Sequence, residues 1–121
     1  MKVYAGITLT VSLLASAAAA QNAPPTYQAD PDTYKVIFED DNFRVIAATW
    51  KKGATDKAHS HLLPYVSYAL DECKLKIHNP DGTTRDINNT TSVARPGIIT
   101  SSHSAENVGD SDCHAIFVER K

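Results

Sequence analysis

The stretch 73–87 constrains the fold most strongly, because it has the pattern of an antiparallel hairpin. Residues 73–78 (CKLKIH) alternate between apolar and polar side chains, which is the period of a strand with one buried face. Residues 79–82 (NPDG) follow, and Asp-Gly accepts the positive φ of a tight turn. Residues 83–87 (TTRDI) then return as a second strand. The chain is therefore expected to contain antiparallel β-structure.

Short β-rich runs also occupy most of the chain after position 33. They lie at 34–38, 43–50, 65–70 and 113–119, with a softer run at 91–102, and polar turn residues separate them. No window longer than a few residues has a helical period, so the pattern favours an all-β sandwich or closed barrel. The apolar residues expected to fill the interior are Phe38, Val45, Trp50, Leu70, Leu75, Ile77, Ile116 and Val118.

Residues 1–20 have the order of a secretory signal peptide, with one lysine, an apolar run and four final alanines. A membrane anchor would need about 20 mostly apolar residues, and this run is shorter. We therefore expect cleavage after Ala20, a secreted or periplasmic protein, and no membrane span after cleavage. Residues 21–33 contain three prolines and predict an extended N-terminal segment, either mobile or lying along a sheet edge. A single domain is expected at 34–121.

The charge of the chain argues against nucleic-acid binding. Its 12 Lys and Arg residues are outnumbered by 14 Asp and Glu residues, for a net charge of −2. A nucleic-acid interface usually needs a stripe of basic side chains that displaces counterions from phosphate. No basic run or arginine cluster is present in the sequence, so this class of partner is set aside.

The two cysteines, Cys73 and Cys113, have two interpretations. In an exported protein such a pair can be oxidised to a disulfide bond between two strands. Two separate buried thiols are the alternative. The bond requires Cα atoms about 4.4–6.8 Å apart, which the sequence does not determine, so both interpretations stay open.

Three of the five histidines form the one constellation that indicates chemistry. His59 and His61 are separated by one residue, and on a strand side chains at i and i+2 point to the same face. His103 lies in a second strand-like run. Imidazoles brought together in this way can bind a divalent metal and leave positions open for water or substrate. His78 and His114 have no such neighbours, and we expect them to be solvated or hydrogen-bonded.

The residues around these histidines resemble the two motifs of the small single-domain cupins. The first motif has a glycine, five residues and then His-x-His, and Gly53 followed by 59–61 (HSH) has this spacing. The second leads from a glycine- and proline-containing turn to a histidine and, four residues later, an asparagine. Pro96-Gly97, His103 and Asn107 stand in these places.

This resemblance covers 34–121 and implies a cupin-type jelly-roll β-barrel that binds one metal through the three histidines. The family's glutamate would fall at position 65 or 66, where this chain has Tyr65 and Val66. Without that carboxylate, metals that prefer oxygen ligands, such as manganese, are less favoured, and Zn, Fe, Ni or Cu fit better. Tyr65, Tyr68 and Trp50 are expected to line the pocket, and Asn107 to bond turn backbone.

Two classes of function follow from these predictions. The first is an exported cupin that acts on a small molecule at the open metal positions, by oxygenation, isomerisation or hydrolysis, as the resemblance implies. The second is a non-catalytic module that binds a small ligand or metal, or a structural β-domain with a vestigial site. No residue is marked as general acid or base, so the sequence leaves enzyme and binder open. The family resemblance also implies a homodimer.

Overall fold

The computed structural model describes residues 1–3, 11–12 and 21–121, and most of the predicted signal peptide, 1–20, lies outside them. Among the described residues, no helix is long and apolar enough to cross a membrane. The elements of the described chain, in order, are α1 (Thr26–Ala29), β1 (Tyr34–Glu39), β2 (Phe43–Trp50), β3 (His59–His61), β4 (Tyr65–Ala69), β5 (Cys73–His78), β6 (Thr84–Asn89), β7 (Ala94–Pro96), β8 (Thr100–Asn107) and β9 (Cys113–Arg120).

The strands form two sheets, in which all the strand pairings are antiparallel. One sheet has five strands in the order β1-β2-β9-β4-β7, and the other has four in the order β3-β8-β5-β6. The predicted hairpin is β5–β6, in which Ile77 lies opposite Arg85. Gly82 adopts a φ of +86° in its turn, a conformation that glycine reaches without steric cost. The all-β prediction is confirmed.

The core lies between the two sheets, but several of its residues differ from those predicted. Trp50, Leu75 and Ile77 are buried as expected. In β2 and β9, however, the buried residues are the other set in the alternation, namely Ile46, Ala48, Ala115 and Phe117. The predicted core residues Phe38, Leu70 and Val118 are exposed, and Val45 and Ile116 are only partly buried. Both faces of these strands are apolar, so alternation alone did not tell the inner face from the outer.

Three of these residues, Phe38, Val45 and Val118, belong to a continuous apolar row on the outer face of the five-stranded sheet. Strand register places five residues side by side across all five strands, in the order Phe38, Val45, Val118, Val66 and Pro96. Phe38, Val66 and Val118 are exposed. A monomeric soluble protein seldom exposes a large contiguous apolar patch, so this row marks a candidate contact surface.

The N-terminal segment packs against the sheets and is not extended throughout. Residues 26–29 form the helix α1, and Thr26 is fully buried. Before the helix, the Ser60 backbone N–H donates to the carbonyl of Pro24 at 2.9 Å, so this part runs along β3. After the helix, Asp30 accepts from the backbone N–H of Lys57 at 3.2 Å. The segment therefore lies along the edge of the four-stranded sheet, the second of the two arrangements considered above.

A disulfide bond joins Cys73 at the start of β5 to Cys113 at the start of β9, and their Cα atoms are 5.4 Å apart. The two strands belong to different sheets. The bond therefore links the sheets covalently at one end of the core, across a sequence separation of 40 residues. Closing a loop of this length removes conformational entropy from the unfolded chain.

Reduction of this disulfide is expected to lower the free energy of unfolding by about 3–4 kcal/mol, on the chain-entropy model. Urea unfolding with and without a reductant measures the difference. The double variant Cys73→Ser/Cys113→Ser serves as the control, because its midpoint should be low and insensitive to reductant. An unchanged midpoint in protein whose thiols titrate as fully reduced would contradict the prediction.

Candidate metal centre

The three predicted histidines meet on the inner face of the four-stranded sheet. β3 and β8 are adjacent, and His59 lies directly opposite His103. His61 lies opposite Thr100, so the register shifts between the two histidines of β3. Such a bulge re-aims side chains locally. All three imidazoles are buried, with His59 only 1% exposed.

The rings of His59, His61 and His103 form a nearly equilateral triangle. Their centroids are 5.0 Å apart between His59 and His61, 4.7 Å between His59 and His103, and 5.1 Å between His61 and His103. Imidazoles that share one ion through metal–nitrogen bonds of about 2.1 Å have ring centroids ~5 Å apart. One ligand nitrogen from each residue lies within 4.8 Å of the others. The cluster could therefore bind a metal after a small contraction.

His61 and His103 are held in the neutral form that a metal requires. Burial, followed by the nearby rings of His59 and His103, lowers the pKa of His61 to about 3. Burial, followed by His59 and Arg85, lowers the pKa of His103 to about 4. At neutral pH both imidazoles therefore carry a free lone pair. Protons compete little for these nitrogens.

A second layer of residues sets the orientation of His59. The Nδ1–H of His59 donates to the backbone carbonyl of Lys57 at 2.9 Å, so Nε2 is the ring nitrogen available to a metal. Asp56 lies next to it, with Oδ1 at 3.7 Å from Nδ1 of His59. Its carboxyl group also accepts from Tyr34 Oη at 2.5 Å and from Trp50 Nε1 at 2.8 Å.

His61 provides a direct test of whether these residues fit a metal. Its Nδ1 atom is buried and has no hydrogen-bond partner among the described residues, although buried polar atoms are normally satisfied. A ligand bound within the cluster would account for this atom. The donor set is three imidazole nitrogens, which suits Zn, Fe, Ni or Cu. The residues present therefore fit a divalent metal.

Tyr65 occupies the place of the missing glutamate but does not replace it. Its ring stacks on His61 with centroids 4.5 Å apart and planes at 15°. Burial raises the pKa of the Tyr65 phenol above its usual value, so at neutral pH the group stays protonated and is a poor metal ligand. The cluster therefore contains no carboxylate, and a bound ion would keep its full positive charge.

The cluster lies in a cavity of about 220 Å³ between the two sheets. Trp50 and Tyr65, two of the three residues predicted to line the pocket, line this cavity together with Ser67 and Phe117. Tyr68 does not line it. Tyr68 lies opposite Ile116 on the outer face of the sheet and is 38% exposed, because neighbouring residues on β4 point to opposite faces.

Asn107, which follows the second motif, has a structural role. Its Nδ2 donates to the carbonyls of Trp50 at 3.0 Å and Ser111 at 2.8 Å, and its Oδ1 accepts from the Gly109 N–H at 3.0 Å. These bonds fix the turn between β8 and β9. Outside the cluster, His78 Nε2 is 3.7 Å from Glu106.

His114 contacts Asp71 through a hydrogen bond, so neither of the other two histidines belongs to the cluster.

Sequence reasoning missed three residues of this region. Asp56, Arg85 and Arg95 are not part of any motif singled out above. Asp56 lies within the same short stretch as the first two histidines, but nothing local marks it as buried. Arg85 and Arg95 face the cavity only because of the strand register, which the turn lengths decide.

Gly97→Ala is expected to weaken the site through Tyr65. A Cβ atom at position 97 would lie 1.9 Å from a carbon of the Tyr65 ring, and the Gly97 N–H is bonded to the Tyr65 carbonyl at 2.8 Å. The ring must therefore leave its present position, in which it stacks on His61. We expect a loss of about 1–3 kcal/mol in unfolding free energy from overpacking, and a metal affinity reduced by about 10-fold.

Urea unfolding and metal titration measure the two effects of this variant. Gly109→Ala is the matched control, because its added Cβ meets no atom closer than 3.3 Å. Equal effects in the two variants would contradict the proposed contact between position 97 and the Tyr65 ring.

Comparison with known proteins adds information about the fold. No family model matches the sequence, and no curated protein sequence matches it. Among solved structures, a cupin domain from Bordetella pertussis has a TM-score of 0.67 at 18% identity, covering 84% of this chain and 99% of that one.

Two further structures are similar over a smaller part of the chain. A Klebsiella pneumoniae protein with a double-stranded β-helix domain has a TM-score of 0.57 at 15% identity, covering 72% of this chain and 74% of that one. A cupin-2 domain protein from Shewanella frigidimarina has a TM-score of 0.50 at 15% identity, covering 74% of this chain and 81% of that one. At these identities the likeness concerns the fold alone. The two antiparallel sheets of this chain therefore form a small domain of the cupin fold.

Proposed function

We propose that this protein binds one divalent metal ion through His59, His61 and His103 and takes up a small molecule at the remaining metal positions. The observation that carries the proposal is the near-equilateral triangle of three buried imidazoles, two of them with pKa values lowered to about 3 and about 4. Histidines that served only to pack a barrel would not need converging nitrogens.

A divalent ion held in this way supplies Lewis acidity, which polarises a bound oxygen or acidifies a bound water. The chain's own residues set the conditions for this chemistry. The Lys57 carbonyl fixes the tautomer of His59, and the Tyr65 phenol stays protonated and can donate a hydrogen bond into the cavity. The proposal is therefore one of binding, and whether the loaded protein also turns over a substrate is a separate question.

Metal analysis of the purified protein tests the proposal. We expect about one equivalent of Zn, Fe, Ni or Cu after native purification, or after dialysis against each metal followed by removal of excess. Trp50 is the single tryptophan and lines the cavity, so its fluorescence reports binding. If none of the four metals binds stoichiometrically, the proposal is refuted. Assays of small acids, thiols and sugars with the loaded protein then separate an enzyme from a binder.

We also propose that the protein is exported, to the periplasm or outside the cell, after cleavage between Ala20 and Gln21. The Cys73–Cys113 disulfide supports this localisation, because such bonds persist in oxidising compartments. Cell fractionation and the intact mass of the native protein provide the test. A native protein that stays in the cytosol with residues 1–20 attached would refute it.

We further propose that two copies associate through the outer face of the five-stranded sheet. The support is the apolar row from Phe38 to Pro96, which crosses every strand of that sheet. A second copy offers the same row, as a two-fold symmetric interface requires. Sedimentation velocity of the purified protein is expected to give twice the mass of the chain. A species of single-chain mass at micromolar concentration would refute the dimer.

A further inference from the structure

Two arginines face the cavity from opposite sheets. Arg85 lies on β6 opposite the buried Ile77, and Arg95 lies on β7 opposite Ser67, which lines the cavity. Residues directly opposite one another on paired strands share a face, so both arginines are on inner faces. β6 and β7 are the edge strands of their sheets, and both arginines line the same cavity as the three histidines.

Neither arginine has an ion-pair partner within 4.0 Å among the described residues. Asp86, the neighbour of Arg85 in sequence, also lines the cavity, but its charged contact is with Lys76, whose Nζ is 3.9 Å from Asp86 Oδ1. Arg44, by contrast, has two carboxylate partners. Arg44 lies between Glu39 at 2.9 Å and Glu119 at 3.0 Å. The two cavity arginines are therefore available to bind an external anion.

The charge of the cavity is opposite to that of the chain. The chain has a net charge of −2, whereas the charged side chains that line the cavity are two arginines, Arg85 and Arg95, and one carboxylate, Asp86. A bound divalent ion would add two further positive charges. Such a site strongly favours an anionic ligand.

We propose that Arg85 and Arg95 bind a carboxylate of a small organic dicarboxylate whose other end reaches the histidine cluster. The position of that other end rests on the proposed metal site, whereas the arginine contact does not. Guanidinium groups bind carboxylates through paired hydrogen bonds in a planar geometry. The cavity volume of about 220 Å³ limits the ligand to a few carbon atoms. The substrate class is thus a short dicarboxylic acid, and neutral sugars or apolar compounds are disfavoured.

Tryptophan fluorescence and calorimetry test the proposal with malonate, succinate and glutarate as probes and the uncharged succinamide as a control. Binding is measured for the zinc-loaded and the metal-free protein. We expect at least one dicarboxylate to bind and the diamide not to. Arg85→Gln and Arg95→Gln should each weaken binding by about 10-fold or more, as loss of a charge-assisted hydrogen bond requires, and Arg85→Lys should weaken it less than Arg85→Gln.

Arg120→Gln is the matched control, because Arg120 is exposed and lies at the end of β9, outside the cavity lining. The Arg120→Gln substitution should leave the affinity for dicarboxylates unchanged. The inference is overturned if the protein binds metal but no dicarboxylate, or if Arg120→Gln lowers affinity as much as the cavity variants. If dicarboxylates bind in an arginine-dependent way to a protein that takes up no metal, the arginine site stands and the metal proposal fails.

Discussion

Replacing His61 with alanine is expected to abolish stoichiometric metal binding. His61 is one corner of the imidazole triangle, at 5.0 Å and 5.1 Å from the other two ring centroids, and two imidazoles alone leave the ion without a third protein ligand. Loss of a residue that only orients a ligand typically lowers metal affinity 10–100-fold. Loss of the ligand itself should therefore exceed about 100-fold. Competition titration against a chromophoric chelator, together with elemental analysis, measures the change.

The control for this experiment is the same substitution at a histidine outside the cluster. His78 lies on β5 outside the cluster, with Nε2 at 3.7 Å from Glu106, so His78→Ala should retain one equivalent of metal. Because His61 is buried, His61→Ala also leaves a cavity, and His103→Gln provides a second variant of similar volume. Circular dichroism verifies that each variant is folded. Full metal content in folded His61→Ala and His103→Gln proteins would refute the three-histidine site.

Replacing Asp56 with alanine is expected to lower the free energy of unfolding by about 5 kcal/mol. The Asp56 carboxyl group accepts hydrogen bonds from Tyr34 Oη, Trp50 Nε1 and the Ala105 backbone N–H, the last at 2.7 Å. All three donors are in the buried interior and would lose their partner, at about 1–3 kcal/mol each. Most small domains have a total stability of about 5–15 kcal/mol, so this variant should be close to unfolded at 37 °C.

Urea unfolding of the metal-free protein at 25 °C measures this loss without a contribution from metal binding. Asp86→Ala is the control, because the Asp86 side chain is 72% exposed and its ion-pair partner, Lys76, is 3.9 Å away. The effect of this substitution should stay within about 0.5 kcal/mol. Asp56→Asn keeps one acceptor oxygen and should give an intermediate loss. If Asp56→Ala and Asp86→Ala unfold at the same urea concentration, the buried network does not contribute as described.

The loop that carries Asp56 also orients the metal ligand His59, which links the stability of the core to the chemistry of the site. The Asp56 carboxyl group fixes Tyr34 and Trp50 on the opposite sheet. The carbonyl of the next residue, Lys57, fixes the imidazole of His59. Tyr34 in turn contacts the His59 ring edge-on, with centroids 5.2 Å apart. A folded variant at Asp56 should therefore bind metal more weakly, in addition to being less stable.

Local pattern determined most of the strands. The alternation of 73–78, the Asp-Gly turn and the polar turns elsewhere are interactions between near neighbours, so they can be read without knowing the fold. The pairing of His59 and His61 on one face follows from the period of a strand in the same way. The spacing of the two histidine motifs then allowed His103 to be assigned to the same cluster through a family resemblance.

Local pattern did not determine which face of β2 and β9 is inside. Both faces carry apolar residues, so a shift of one residue exchanges the buried set, with Ile46 and Phe117 buried in place of Val45 and Val118. The short helix at 26–29 was also missed. Four residues are too few for a helical period, and the helix is stabilised by its packing and by Asp30 rather than by its own sequence.

The sequence by itself determined that this chain is all-β, where its main turns lie and that His59 and His61 share a face, because these depend on periodicities of two and on short spacings. The family resemblance added His103 to the cluster. The tertiary structure alone decided that Asp56 is buried beside His59, that Cys73 and Cys113 meet, and that Arg85 and Arg95 face one cavity from two sheets. Each of these contacts joins residues from different strands or loops. Their meeting depends on strand register and on how the sheets close over each other, which are properties of the whole chain rather than of any segment.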